Sequence, residues 1–160
     1  MSNPTRPTGE IDFDINGLYI LLSDIGAEWQ FHWGFYLATK PGEGRVYHLV
    51  NNIETNHKWE YRTRLSRGVP HSISLLVALK IAVMDPALHG ALGDRLKAVS
   101  QTPPVTCRIW LKRALQDLDD EGYIKLKGGV DDIELEGESA AVENKHAKIR
   151  QVIASRLSAA

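Results

Sequence analysis

The sequence predicts an α+β domain: a small antiparallel sheet of about four to five strands packed against two or three helices. Two strand-like stretches, Phe31 to Ala38 and Gly44 to Val50, are joined by the short loop Thr39 to Glu43. A third alternates at period two through Trp59, Tyr61, Thr63 and Leu65. Loops this short connect only antiparallel neighbours, so these stretches form a meander. The helices come from an apolar run over Ser72 to Asp85 and from the 3.6-residue pattern that begins at Cys107.

Composition sets the outer limits. With 160 residues and 43% hydrophobic side chains, the chain has material for one core. Nineteen basic against 20 acidic side chains leave a net charge of −1, which excludes a protein built to neutralise phosphates, so no nucleic-acid partner is expected. Arg62, Arg64 and Arg67 read as a solvated strand edge. A single cysteine excludes an internal disulfide. The polar, proline-containing lead-in is no secretory signal, and no apolar window nears about 18 residues, the length of a membrane span. A cytoplasmic protein is expected.

In chain order, residues 1–10 read as a disordered N-terminus and 11–127 as one catalytic-type domain. Ile11 to Gly17 alternates like an edge strand, with Asn16-Gly17 as a turn. Leu18 to Leu22 reads as a buried strand or a short helix. The run over Ser72 to Asp85 is apolar almost all round, predicting an internal helix ended by Pro86. Leu88 to Val99 predicts an amphipathic helix. Thr102 or Thr106 caps the next one, which carries Ile109, Trp110, Leu111, Ala114, Leu115 and Leu118 and stops near Gly122. Tyr123 to Leu126 adds a short strand. Residues 128–139 read as a mobile acidic connection and 140–160 as a charged C-terminal helix.

The chemistry gathers around Cys107. A thiol attacks as thiolate, and an ordinary one, with a pKa of about 8.5, carries little at neutral pH. A helix N-terminus and a neighbouring imidazolium both favour the anion, and the same helix start offers N–H donors to an oxyanion. A helix-start cysteine facing His32 on a strand is therefore a coherent acyl-transfer site. A third group must orient the imidazole. His48 lies on the next strand and is the first candidate, with a carboxylate or amide in that role if the register turns it away.

The pattern His32-Trp33-Gly34-Phe35-Tyr36-Leu37-Ala38, a hairpin, Val46-Tyr47-His48-Leu49 and then a later cysteine resembles the lecithin:retinol acyltransferase-like proteins. These are a branch of the NlpC-type, papain-like cysteine hydrolases in circularly permuted form. The resemblance covers about residues 28–51 and 105–118. It implies a permuted papain-like fold with Cys107 as nucleophile, His32 as general base and acid, and His48 as the orienting member. At the cysteine the chain reads Thr106-Cys107-Arg108-Ile109-Trp110, where that branch has Asn-Cys-Glu-His-Phe. The machinery of the superfamily is carried over, without a lipid substrate.

The expected function is a cysteine-dependent hydrolase or acyltransferase, without cofactor, acting on an amide, ester or thioester of a small molecule, peptide or acyl substrate. Trp110, Tyr19 and His71 are candidates for the substrate pocket, against the plainer role of core packing for the first two. Trp33 and Tyr47 alternate away from the histidines and read as packing residues. Two other readings stay open. One is an inactive binding domain of the same fold; the other is a zinc hydrolase using His32, His48 and Cys107, for which no close-spaced ligand pair speaks.

Overall fold

A computed structural model describes residues 8–9 and 11–160; the disordered stretch expected over 1–10 falls almost wholly outside them. The fold is α+β. Six strands, β1 (Gly17–Asp24), β2 (Phe31–Lys40), β3 (Glu43–Val50), β4 (Glu60–Ser66), β5 (Leu75–Val83) and β6 (Gln151–Ala154), form one mixed sheet in the order β4-β3-β2-β1-β5-β6. All pairings are antiparallel except β5 with β6. Three helices, α1 (His89–Lys97), α2 (Cys107–Asp120) and α3 (Val130–Ala147), complete it.

The first four strands form the expected meander. Alternation then decides which side chains meet the helices. Phe31, Trp33, Phe35, Tyr47 and Leu49 point into the main core with Trp110, Leu111 and Leu115 of α2. The opposite face carries a smaller apolar cluster around Tyr19, Tyr36 and Val46, covered by Ile11 and Phe13. Ile11 to Asn16 is therefore no edge strand. It turns at Asn16 (φ 69°) and lays Phe13 edge-on against Tyr19 and Tyr36, with ring centroids 4.9 and 4.8 Å away.

The apolar run after Ser72 is strand β5, where a helix was expected. It lies between β1 and β6 with Leu76, Val77, Leu79 and Ile81 in the main core and Leu75 and Ala78 on the other cluster. A strand buried on both faces reads as an unbroken apolar run, the same signature as an internal helix. The C-terminal third is also rearranged. Residues 130–147 form α3, so the acidic stretch is helical; Asp131 and Asp132 occupy its first turn, where the helix dipole favours negative charge. Gly137 sits inside the helix because a Cβ there would lie 3.2 Å from Leu22 and 3.4 Å from the Trp33 indole. The expected C-terminal helix ends at Lys148 (φ 59°), and the chain continues into β6.

Helix α2 is held against α3 by ion pairs of Arg108 with Glu134, and of Lys112 with Asp131 (2.5 Å) and Glu134 (2.9 Å). Among the described residues no helix is long and apolar enough to cross a membrane.

Candidate active site

The register pairs Gly34 of β2 with His48 of β3, which sets His32 and His48 on the same face of the sheet. Gly34 lets them close up: a Cβ there would stand 3.1 Å from the His48 Cβ. The imidazoles meet at 2.9 Å between His32 Nε2 and His48 Nδ1. Both are half-buried. Burial keeps His32 below the ordinary histidine pKa. It pushes His48 down to about 4, with the positive charges of His32 and Arg64 adding to the effect. At neutral pH both rings are uncharged, and one donates its N–H to the other.

Cys107 is the first residue of α2. The Thr106 side chain accepts the Ile109 N–H at 3.3 Å and so caps the helix. The N–H groups of Cys107 and Arg108 have no intrahelical acceptor. The thiol is buried on the helix-facing side of the sheet and donates to the Phe31 carbonyl at 3.9 Å. Burial raises its pKa, outweighing the N–H groups of Trp33, Arg108 and Cys107 and the Arg108 charge, all of which favour the thiolate. The helix start therefore softens the penalty of burial without reversing it, and the resting group is a thiol.

The structure thus brings His32 to His48, and leaves Cys107 bonded to a carbonyl on the other side of the β2 backbone. The two sides connect at one place. Ladder pairing between β2 and β3 stops at Gly34–His48, and beyond it the strands part. A cleft of about 330 Å³ opens in this gap, lined by both His32 and Cys107 together with Ile25, Asn52 and Trp59. It adjoins a cavity of about 460 Å³ over the histidine face, where His32, His48 and Arg64 meet Ser23 and Ser66. A further cleft of about 590 Å³ runs from Cys107 past Trp29 and Glu138.

The other expected pocket residues lie elsewhere. Trp110 is fully buried between Phe35 and Tyr61, at 5.8 and 5.7 Å between centroids. Tyr19 is fully buried with its hydroxyl accepting the Asp14 N–H at 2.6 Å. His71 is exposed beside the histidine-face cavity, whose wall is made by its neighbours Val69 and Ser72. Among the described residues no three histidine, cysteine, aspartate or glutamate side chains stand close enough to hold a metal ion. The arginine run divides. Arg62 pairs with Glu60 at 2.5 Å and Arg67 with Glu43 at 2.9 Å, while Arg64 faces the histidines. Arg64 was concealed by its charged neighbours, and only the β3–β4 register, Val46 opposite Arg64, reveals it.

The dyad makes stability acid-sensitive. A histidine held below its usual 6.5 resists protonation in the folded chain, so the unfolded chain takes up protons first as pH falls. The stabilisation is complete above about pH 6.5 and drains away toward pH 4. At about 1.4 kcal/mol per pKa unit, discounted for partial exposure, the His48 contribution is on the order of 2 kcal/mol. Urea midpoints should fall across this window, and His48→Gln should flatten the fall. Equal slopes in both chains would remove His48 from the account.

Compared with known proteins, the chain matches no family model, no curated protein and no solved structure.

Proposed function

We propose that this protein is a cysteine-dependent acyl-group hydrolase or transferase of the circularly permuted papain-like kind, acting on an ester, thioester or amide. The observation that carries the reading is the 2.9 Å His32–His48 contact, with His32 lining the same cleft as a cysteine that opens a helix. The order of elements, two histidine strands before the cysteine helix, supports the permuted assignment.

For His32 to act as base, its Nε2–H donates to His48 Nδ1 and its own Nδ1 stays free. His48 suits this role because burial, with the His32 and Arg64 charges adding to it, keeps it uncharged and able to accept. Rotation of the Cys107 side chain away from the Phe31 carbonyl brings the thiol to the cleft; catalytic hydrogen bonds commonly tighten only when substrate binds. Sγ then bonds to the substrate carbonyl carbon while its proton passes to His32 Nδ1. The N–H groups of Cys107 and Arg108 receive the oxyanion. As the carbon–leaving-group bond breaks, His32 returns the proton to the leaving group. Water or another nucleophile then gives its proton to His32, attacks the thioester, and releases the thiol. This cycle needs a reduced thiol, consistent with a cytoplasmic setting.

The test is intact-mass measurement after incubation with small activated thioesters and esters at neutral pH. The expected product carries one acyl group on Cys107 in the folded chain, and none in Cys107→Ser. No adduct, or equal labelling in urea, would favour a binding domain that retains the fold with an inert thiol.

A further inference from the structure

We propose that a second cleft, between β3, β4 and α1, binds a small planar aromatic molecule bearing one anionic group, a carboxylate or a phosphate. It shares no lining residue with the Cys107 and histidine cavities. Its volume is about 370 Å³, within the range of small-molecule sites.

Tyr47 and Tyr61 form the floor. Tyr47 is only 2% exposed yet lines the cleft, and its hydroxyl makes no hydrogen bond to another described residue. Solvent reaches that oxygen, so a ligand oxygen bound there would take the place of water. Facing the rings, α1 presents Gly90 and Gly93 one turn apart. A Cβ on Gly93 would touch the Tyr47 ring at 3.7 Å, and one on Gly90 would meet nothing within 4 Å. At Gly93 the helix therefore closes onto the Tyr47 ring, while at Gly90 the cleft is open beside the two phenol rings that line it, and exposed aromatic faces and edges favour stacking with another planar ring.

The rim supplies the charge preference. Arg45 and Lys97 border the cleft, and among the described residues neither joins an ion pair or a side-chain hydrogen bond, unlike Arg62, Arg67, Arg95 and Lys112. Asp94 stands on the same rim and opposes an anion, but two cations against one carboxylate leave the mouth positive. Burial raises both phenols, Tyr61 to about 12, so they remain protonated donors at neutral pH. Two donors and two cations suit anionic oxygens.

The experiment titrates the full-length chain with benzoate, phenyl phosphate, uncharged benzamide and inorganic phosphate, following tyrosine near-UV difference spectra and calorimetric heat. Benzoate or phenyl phosphate should bind at least about tenfold tighter than benzamide, a gap of about 1.4 kcal/mol, and than inorganic phosphate. The stronger of the two identifies the anion. Gly90→Leu, placed in open space, should abolish binding with the thermal midpoint retained. Arg45→Gln with Lys97→Gln should weaken it about tenfold or more, and Cys107→Ser should leave it unchanged. Benzamide binding equally well, full binding in Gly90→Leu, or no tyrosine signal up to millimolar probe would overturn the proposal. None of these outcomes bears on the thiol chemistry.

Discussion

A chain carrying His32→Ala is expected to acylate Cys107 about 10²- to 10⁴-fold more slowly than the parent, the range of positioned general-base catalysis. The resting thiol is uncharged and its pKa is raised by burial, so little thiolate exists to react without a base. The loss should therefore be largest near neutral pH and shrink at alkaline pH, where hydroxide ionises the thiol in both chains. His48→Gln should fall between the two, since it removes the ring that fixes the free nitrogen of His32 and leaves that nitrogen in place. The measurement is the rate of acyl-adduct formation by intact mass from about pH 6 to 10, with circular dichroism to check folding. Parallel pH profiles for parent and His32→Ala would mean that the thiol reacts unassisted, and the dyad would then have no part in acyl transfer.

The largest stability effect is expected at Trp33. This side chain is 2% exposed and lies in the main core, where α3 approaches it at Gly137. Trp33→Ala should destabilise the chain by about 3–5 kcal/mol, the lost transfer energy plus the cavity left behind. Trp29 is 68% exposed, and Trp29→Ala should change stability by less than about 0.5 kcal/mol. Trp110 is fully buried too, but its indole N–H has no partner among the described residues, so Trp110→Phe should cost less than Trp33→Ala. Urea unfolding of the three variants orders them. A Trp33→Ala midpoint close to that of Trp29→Ala would mean that the cavity collapses and that α3 does not depend on this contact.

What could be read from the sequence follows the physics of each signal. The meander was legible because its strands have one face against the helices and one against lesser cover, and short loops fix their sense. The cysteine helix was legible from its cap and its 3.6-residue pattern. Strand β5 was not, because burial on both faces erases the alternation that marks a strand. Helix α3 was masked by Gly128, Gly129 and Gly137: the first two precede the helix, and the third is a packing contact that only the neighbouring Trp33 explains. In the site, the proximity of His32 and His48 followed from hairpin geometry. The thiol's bond to the Phe31 carbonyl did not, since it depends on where α2 settles across a chain separation of 76 residues.

That separation also bears on the order in which the parts assemble during synthesis. The histidines lie 16 residues apart across one hairpin, whereas the thiol reaches its carbonyl only by closing a segment nearly five times longer. The chain-closure entropy of the longer segment is greater by about 1.4 kcal/mol, and local hairpins form within microseconds. In a nascent chain the two histidine strands are therefore complete, and free to sample their pairing, before residue 107 is made, although an isolated hairpin is only marginally stable until its neighbours join it. Cys107 is the last of the three side chains to be made.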